Sequence, residues 1–350
     1  MRKKNSFWKI FIKVLLAIIA SIVLLLGILL AISSISNKSK LEDEKKYLEL
    51  PGEMVKVDDR DIHVMNMGDK ESDVTLVFLH SNKTYDDAVC LQPLIKELDK
   101  YNVIYVDRSG IGFSPEANAP KDIKSMVDET RKAVKAVKKD GPYILVPIKS
   151  GGLEAMYWAN TYPDEVKAVV GLEMYFPDQY ADKEDDAYCS IGNYIATGLV
   201  SIGAHRYAKD IYPKNDSGIY TEKQMKTRNA LCSKVFYTKS MYNEDKELVK
   251  NAKITGELGW PEDTKMYLLY ANPFLEPYVS ENDDMIEINK ELAEKDDSYD
   301  SAGSYNYFYK DYLKSHKNVT FEELSSPERM ITYNNKKLAK KITKYIDSLN

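Results

Sequence analysis

Two adjacent residues near the middle of the chain, Lys149 and Ser150, could act as nucleophiles. They follow an apolar run, YILVPI (143–148), and precede a helical pattern, GLEAMYWANTY (152–162). A serine hydroxyl attacks a carbonyl only when a general base takes its proton, and histidine is the usual base. A lysine amine becomes a nucleophile when its surroundings lower its pKa. The chemistry at this point therefore depends on which bases and acids the fold brings to it.

Few side chains are available for base or metal chemistry. The chain contains four histidines, His63, His80, His205 and His316, and three cysteines, Cys90, Cys189 and Cys232. No CxxC pair and no cluster of Cys and His has the spacing of a zinc site. We predict no metal and no cofactor.

The composition excludes several classes of protein. With 44% hydrophobic residues, 16 Gly and 13 Pro, the chain is neither disordered nor fibrous. It carries 54 acidic and 49 basic residues, and five of the basic ones lie within residues 1–13. The rest of the chain is therefore acidic, whereas a nucleic-acid-binding protein would show a basic excess. We predict no nucleic-acid partner.

The amino terminus has the pattern of a membrane anchor. Residues 14–35, VLLAIIASIVLLLGILLAISSI, carry no charge. As a helix they would be about 33 Å long, enough to cross a hydrocarbon core of about 30 Å. The alternative is a cleaved signal peptide, whose apolar region is normally about 7–15 residues long and ends in a small-residue cleavage site. The longer run favours an uncleaved, single-pass helix.

The flanking charges predict how the anchor is oriented. A basic tail, residues 1–13, precedes the apolar run and should stay in the cytoplasm by the positive-inside rule. The polar segment 36–50 suits a tether rather than a folded element. Residues 51–350 would then form one extracytoplasmic domain attached to the cell membrane.

Strand and helix patterns alternate along this domain. Short β-rich runs occur at 61–67, 74–80, 102–107, 143–148, 166–174, 266–271 and 318–324, and helical patterns at 91–100, 123–139, 152–162 and 335–349. Several of the runs are continuously apolar, which is typical of parallel strands covered on both faces. The alternation predicts an α/β fold with a mostly parallel, doubly wound sheet.

Residues 177–264 interrupt this alternation. They contain no strong strand pattern but many Tyr, Lys and Asp residues, and we interpret them as a helical insertion. Cys189 and Cys232 both fall in this insertion. On the extracytoplasmic side of a membrane they could form a disulfide or remain two free thiols, and the sequence leaves both possibilities open.

Three loops and their order give the chain a family resemblance. LVFLHSNKT (76–84), NVIYVDRSGIGFSP (102–115) and YILVPIKSGGLEAMYWANTYPDEVKAVVGLE (143–173) resemble the α/β-hydrolase fold over about residues 55–350. The branch that they most resemble is that of the membrane-anchored bacterial hydrolases related to proline iminopeptidases and small esterases. The resemblance implies a mostly parallel sheet, a cap formed by the insertion, and a cleft that in relatives hydrolyses ester or peptide bonds.

The resemblance also implies positions for a catalytic triad, and this chain departs from the pattern at each of them. In the family a serine stands at the apex of a strained strand-to-helix turn, where this sequence has Lys149. The position of the catalytic histidine is occupied by Arg329, which remains protonated and cannot act as a general base. The acid position falls near Asn272. At the oxyanion loop His80-Ser81 replaces the usual His-Gly, which puts the backbone geometry there in doubt.

Other residues could take over some of these roles. Ser150 could replace the missing nucleophile, with His80 as its base, if the turn is shifted by one residue. Glu276 could replace the acid. Lys149 and Arg329 are both cations at a former triad, so an anion should lie between them. That anion is either internal, Glu173 or Glu276, or the carboxylate or phosphate of a ligand.

Three hypotheses therefore remain. The first is a non-catalytic hydrolase-like protein that binds a small molecule or a protein in its cleft. The second is an active serine hydrolase that uses a shifted nucleophile such as Ser150. The third is chemistry based on Lys149.

Overall fold

A computed structural model describes residues 2–138, 141–272, 313–325 and 330–349 of the chain. Its central feature is an eight-stranded sheet with the order β1-β2-β4-β3-β5-β6-β7-β8. The strands are β1 (Glu53–Val57), β2 (Arg60–Gly68), β3 (Thr75–Leu79), β4 (Asn102–Asp107), β5 (Tyr143–Pro147), β6 (Val166–Leu172), β7 (Lys265–Asn272) and β8 (Val319–Ser325).

The sheet is parallel except at one edge, as the alternation of patterns predicted. Neighbouring strands in the series β4-β3-β5-β6-β7-β8 all pair in parallel. Strand β2 pairs antiparallel with both β1 and β4. The pattern analysis missed β1. Three of its five residues are exposed, Val55 is partly buried and Val57 is buried. A tight turn, in which Asp58 and Asp59 both have positive φ, joins it to β2. A short, mostly exposed edge strand lacks the apolar run that identifies the buried ones.

Helices cover both faces of the sheet. The described helices are α1 (Arg2–Glu44), α2 (Asp87–Cys90), α3 (Gln92–Glu97), α4 (Ile123–Val137), α5 (Gly151–Thr161), α6 (Ile191–Ser201), α7 (Glu222–Val235), α8 (Lys239–Glu257), α9 (Met330–Tyr333) and α10 (Asn335–Asp347). One apolar cluster joins the sheet to α4, α5 and α8, and a second joins it to α3, α7 and α10. Strands β3 and β5 lie between the two clusters and are buried along their whole length. This arrangement explains their continuous apolar sequences.

The insertion is helical, as the sequence predicted. Between β6 and β7 the described chain forms α6, α7 and α8 with short 3₁₀ turns and no strand. The helices of the insertion differ in burial: α8 buries apolar residues in the cluster that contains α4 and α5, while α6 buries only Val200.

The amino-terminal helix is longer than the sequence predicted. It runs without a break from Arg2 to Glu44, and its apolar portion is exposed and long enough to cross a membrane. The segment 36–50, predicted to be a tether, is helical up to Glu44 and packs on the insertion. Asn37 Oδ1 accepts a hydrogen bond from Arg206 Nε at 2.6 Å, and Glu44 accepts two from the same guanidinium at 2.7 Å. These contacts with the insertion hold the polar part of α1 in place. The composition of the segment gives no sign of them.

A network of buried charges lies beneath the insertion. The Arg108 guanidinium pairs with Glu244 of α8 at 2.8 Å and also with Glu154 of α5. Lys121 pairs with Glu244 at 3.0 Å, and all four side chains are about 2–3% exposed. Two cations and two carboxylates therefore neutralise one another, and they tie the loop after β4 to helices α5 and α8.

We predict that Arg108→Met destabilises the protein severely. The substitution leaves Glu154 buried without its cation, and breaking a buried ion pair from one side costs about 3–5 kcal/mol of unfolding free energy. Lys132→Met is the matched control, because Lys132 pairs with Asp58 at 2.6 Å where both side chains are about half exposed, and an exposed pair contributes at most about 1 kcal/mol. Urea denaturation of the purified variants measures the difference. Equal losses in the two variants would contradict a structural role for the network.

Candidate functional site

The turn from β5 to α5 places Lys149 at its apex. Lys149 has φ +47°, the left-handed conformation that a tight strand-to-helix turn needs. The turn closes against its neighbours: the Ile148 N–H donates to the Leu79 carbonyl at 2.9 Å, and the Tyr175 N–H donates to the Lys149 carbonyl at 2.9 Å. The backbone at Lys149 thus has the geometry of a tight, strained strand-to-helix turn.

Both glycines that follow are required by the close packing of this turn. A Cβ at Gly151 would lie 2.5 Å from the Leu79 carbonyl oxygen, and one at Gly152 would lie 2.3 Å from the Tyr175 carbonyl oxygen. Backbone atoms cannot move aside as a flexible side chain would. The sequence Lys149-Ser150-Gly151-Gly152 therefore fits this turn without a shift of one residue.

Ser150 lies beside the apex, and its hydroxyl is fully engaged. The side chain is 7% exposed. Its Oγ accepts a hydrogen bond from the Asn82 N–H at 2.8 Å and contacts Asn82 Oδ1 at 2.9 Å and Ser81 Oγ at 3.1 Å. Within the described residues no histidine hydrogen-bonds to it. The hydroxyl therefore links the oxyanion loop, residues 80–82, to α5.

His80 is in the same loop but does not face Ser150 as a base would. It is buried, and its Nδ1 lies 2.8 Å from the Ser81 carbonyl oxygen. Burial, together with the nearby Arg108 cation, lowers the pKa of His80 to about 3. The ring is therefore neutral, and in the described part of the chain its Nε2 has no hydrogen-bond partner.

The other three histidines lie elsewhere. His63 Nδ1 pairs with Asp107 Oδ2 at 2.7 Å, and both residues are buried in the sheet. His205 Nε2 lies 3.1 Å from the Ser233 carbonyl oxygen in the insertion, and His316 stacks on Trp260 at 3.8 Å. None of them contacts Lys149 or Ser150 in the described structure.

The motif DRSGIGFS (107–114) has a structural role here. Asp107 accepts hydrogen bonds from the Tyr105 hydroxyl at 2.8 Å and from the Phe113 N–H at 3.0 Å. Gly112 has φ +55°, and a Cβ there would lie 2.4 Å from the Asp107 carboxylate. The motif thus closes a tight loop around a buried carboxylate.

A cavity of about 610 Å³ opens in front of the turn from β5 to α5, which we call the elbow. Its lining includes residues from the oxyanion loop, α2, the elbow, the insertion and the chain after β8, among them Ser81, Lys83, Asp86, Asp87, Cys90, Lys149, Glu173, Lys214, Tyr220, Arg228 and Thr332. Eight residues of the insertion, from 210 to 220, form one wall. The cavity lies at the carboxyl ends of the parallel strands, which is the usual ligand crevice of open α/β sheets.

Two of the four cations that line this cavity form ion pairs with aspartates. Arg228 Nε pairs with Asp86 at 2.6 Å, and Lys83 Nζ pairs with Asp245 at 3.2 Å. Burial, together with the neighbouring Asp86 carboxylate, raises the pKa of Asp87 to about 7. Lys149 forms no ion pair with any described residue, so its ammonium is a cation at the cavity that the described structure leaves without a counter-charge.

The remaining predicted site residues are placed only in part. Glu173 follows β6 with φ +51° and lines the cavity, but no hydrogen bond or ion pair joins it to Lys149. Asn272 is the last residue of β7 and pairs with Ser325 of β8 through the backbone; its side chain is not described. Arg329 and Glu276 lie outside the described residues. The proposed pairing of Lys149 with Arg329 or Glu276 therefore stays a prediction.

Sequence reasoning missed several cavity residues. Asn82 holds Ser150 and also donates to Asp245 at 2.9 Å, and Asp86 forms an ion pair with Arg228 from a helix 142 residues further along the chain. The only signal for them was a pair of acids, Asp86 and Asp87, directly before an apolar helical run.

The described structure contains neither a disulfide nor a metal cluster. Cys90, Cys189 and Cys232 are all free thiols, which decides between the two possibilities left open for the insertion. Cys189 Sγ lies 2.9 Å from the Tyr242 hydroxyl, while Cys232 is buried near the Ile211 carbonyl. No group of three His, Cys, Asp or Glu side chains among the described residues could hold a metal ion.

We predict that the free energy of unfolding of Lys149→Gly is higher than that of Lys149→Met by about 0.5–1 kcal/mol. A side chain in the left-handed region costs about 1–2 kcal/mol, and the greater freedom of glycine in the unfolded chain offsets roughly 0.5–1 kcal/mol of the gain. Methionine removes the ammonium but keeps the strain, so it serves as the matched control. Urea denaturation of both variants makes the comparison. A less stable glycine variant would mean that the turn is not strained at this residue.

Comparisons with known proteins agree with this architecture. No family model matches the chain. It is 28% identical over 271 residues to the uncharacterized protein YbdG of Bacillus subtilis (strain 168), a match that covers 76% of this chain and 82% of that protein. YbdG supplies no activity to transfer.

Solved structures resemble the chain at lower identity. A laboratory-evolved variant of potato epoxide hydrolase StEH1 superposes with a TM-score of 0.60 at 17% identity, covering 86% of this chain and all of that one. A structure described as a lipase of Acinetobacter baumannii AYE gives 0.53 at 16% identity, covering 89% and 96%. At such identities the likeness concerns the fold alone. The chain has the α/β-hydrolase fold, with one amino-terminal helix long and apolar enough to cross a membrane.

Proposed function

We propose that this protein is a membrane-anchored, extracytoplasmic hydrolase-fold protein that binds an anionic small molecule in its cleft and does not hydrolyse it. The observation that carries the proposal is Lys149. A lysine occupies the apex of a turn whose strained geometry is kept, with φ +47°. Strain of this kind persists where the surrounding structure over-determines it, and it is often found at functional sites.

The surroundings of Ser150 favour binding over hydrolysis. A serine nucleophile needs a base within hydrogen-bond reach, and the described partners of its hydroxyl are Asn82 and Ser81. His80 stays neutral in a buried loop and bonds to a carbonyl of that loop. The alternative is an active serine hydrolase. It is supported by the structural neighbours, which include a lipase and epoxide hydrolases.

The position of Lys149 favours an anion as the ligand. Four cations and five acidic residues line the cavity; Lys83 and Arg228 are neutralised by aspartates, and the acids are Asp86, Asp87, Glu173, Asp210 and Asp216. Lys149 and the exposed Lys214 form no ion pair with the described residues. Because the pKa of Asp87 is raised to about 7, its carboxyl group is largely protonated below pH 7 and repels an anionic ligand only weakly. A carboxylate or a phosphate is the complementary group, and Arg329, if it lies beside Lys149, would bind it bidentately.

The membrane anchor follows from the amino-terminal helix. Its apolar part, residues 14–35, is free of charge, and basic residues precede it. The positive-inside rule then places the tail, residues 1–13, in the cytoplasm and the hydrolase-fold domain outside. The ligand would be an extracytoplasmic molecule.

We predict that the purified full-length protein neither reacts with a fluorophosphonate serine probe nor hydrolyses p-nitrophenyl esters or aminoacyl naphthylamides above the rate in buffer. Loss of a nucleophile together with its base lowers turnover by about 10⁶-fold in serine hydrolases. Ser150→Ala is the control and should behave like the wild type. Turnover that disappears in Ser150→Ala would overturn the proposal, and turnover that survives in that variant but disappears in Lys149→Met would point to lysine chemistry instead.

We predict that inorganic phosphate or acetate raises the melting temperature of the wild type at constant ionic strength, and that Lys149→Met loses this gain. A ligand that binds only the folded state stabilises it by mass action. Lys83→Met is the matched control, because Lys83 lines the same cavity but is already paired with Asp245. The gain from acetate should shrink as the pH rises through about 7, because Asp87 then becomes negative. An equal gain in wild type and Lys149→Met would contradict the anion site.

A further inference from the structure

Helix α6 presents an apolar, uncharged surface to solvent. Four large side chains along it are exposed: Ile191 at 81%, Tyr194 and Ile195 at 54%, and Leu199 at 42%. They recur at intervals of three and four residues and therefore share one face of the helix. We call these four residues the α6 surface. Residues 187–204, which contain the whole helix, include no Asp, Glu, Lys or Arg.

The carboxyl end of α6 is fastened to the amino-terminal helix. Ser33 Oγ donates to the Ile202 carbonyl at 2.9 Å, and Asn37 Nδ2 donates to the Ser201 carbonyl at 3.2 Å. Gly203 has φ +79°, and a Cβ there would lie 2.5 Å from Asn37 Cγ, so the Asn37 side chain packs directly on the Gly203 backbone. The position of α6 along α1 is therefore fixed.

That position corresponds to the end of the apolar stretch. The charge-free run of α1 finishes at residue 35, and Lys38 is the first charged residue after it. A stretch of this length spans the hydrocarbon core of a bilayer, so its last turn lies at the boundary with the headgroups. Ser33 and Asn37 lie at this end of the stretch, and the carboxyl end of α6, which they contact, is therefore at the same level.

Helix α6 gains little from packing on the protein. It is 11 residues long, and Val200 is its one buried residue. Isolated helices of this length are marginal in water, and most of a helix's stability in proteins comes from burial of an apolar face. Its neighbours make few contacts, such as the ring of Tyr242 at 5.5 Å from that of Tyr194. Tyr207, just beyond the helix, is 72% exposed, and tyrosine is enriched at membrane interfaces.

We propose that α6 is an interfacial membrane helix, with the α6 surface inserted among the headgroups and upper acyl chains of the bilayer that α1 crosses. Lipid is the occupant that fits, because the surface is apolar, carries no charge and continues directly from the candidate transmembrane helix. An apolar helix face that lies in the plane of the interface is the usual form of monotopic contact. This inference rests on the proposed membrane anchor. The helix would hold the insertion, which forms one wall of the cavity, against the membrane surface.

The test places a fluorescent label at three sites of the full-length protein in lipid vesicles. The native cysteines are replaced by serine or alanine, and an environment-sensitive label is attached at Ile195→Cys, Ile22→Cys or Glu71→Cys. Ile22 lies in the apolar part of α1, and Glu71 is exposed between β2 and β3 at the amino-terminal edge of the parallel strands, opposite the insertion. Vesicles that contain a nitroxide-labelled phospholipid quench any label that contacts the acyl chains.

We expect the labels at positions 195 and 22 to lose most of their emission and the label at position 71 to keep it. A quenched label at 22 with an unquenched label at 195 would overturn the inference and leave the anchor intact. No quenching at either site would overturn both. A label at 195 that is shielded from a water-soluble quencher but not quenched by the lipid would show that a second copy or another protein covers the surface, which also overturns it.

A second measurement keeps the native cysteines. Tyr194→Trp and Glu71→Trp add one tryptophan each to the three of the wild type. In vesicles of brominated phospholipid the added emission of Tyr194→Trp should be lost and that of Glu71→Trp retained. Retention of both would overturn the inference.

Discussion

The tight turn between β5 and α5 is the constraint on which the cleft depends. It closes because Gly151 and Gly152 let two carbonyl oxygens, of Leu79 and Tyr175, approach within distances that no side chain permits. Through these contacts the turn joins the oxyanion loop, the elbow and the loop after β6 at one end of the sheet. The residue at its apex must adopt positive φ whatever its chemistry. The turn therefore accommodates Lys149, and it presents an ammonium group at its apex.

Buried charge explains the structural role of the motif DRSGIGFS (107–114). Asp107 collects hydrogen bonds from Tyr105 and Phe113 and pairs with His63, while the neighbouring Arg108 holds Glu154 and Glu244. Removal of any one of these groups would leave another buried without a partner, which is costly. Selection for a stable fold thus keeps the glycine-rich motif in place. The motif is a sign of the architecture and carries no information on whether the cleft is catalytic.

The insertion connects the cleft to the amino-terminal helix. Arg206 links Glu44 and Asn37 of α1 to the insertion, Ser33 and Asn37 hold the end of α6, and residues 210–220 contribute to the wall of the cavity. A rigid helix that leaves the membrane and continues to Glu44 orients the domain more closely than a flexible tether would. If α6 also rests on the bilayer, two contacts fix the domain relative to the membrane, and the mouth of the cavity keeps a constant height above it.

The sequence by itself determined the sheet, the helical insertion, the apolar amino-terminal run and the identity of Lys149 at the elbow. Each depends on a local pattern: continuous apolar strands, helical periodicity, an uninterrupted uncharged run, or two glycines after a strand. Tertiary structure alone decided that segment 36–44 is helical, that Cys189 and Cys232 are not bridged, that His80 faces a carbonyl, and that Ser150 is held by Asn82. These outcomes depend on groups that are far apart in the chain, such as Asn37 and Arg206 or Asp86 and Arg228. A linear pattern records the chemistry of each residue, but only the folded chain determines which partner satisfies it.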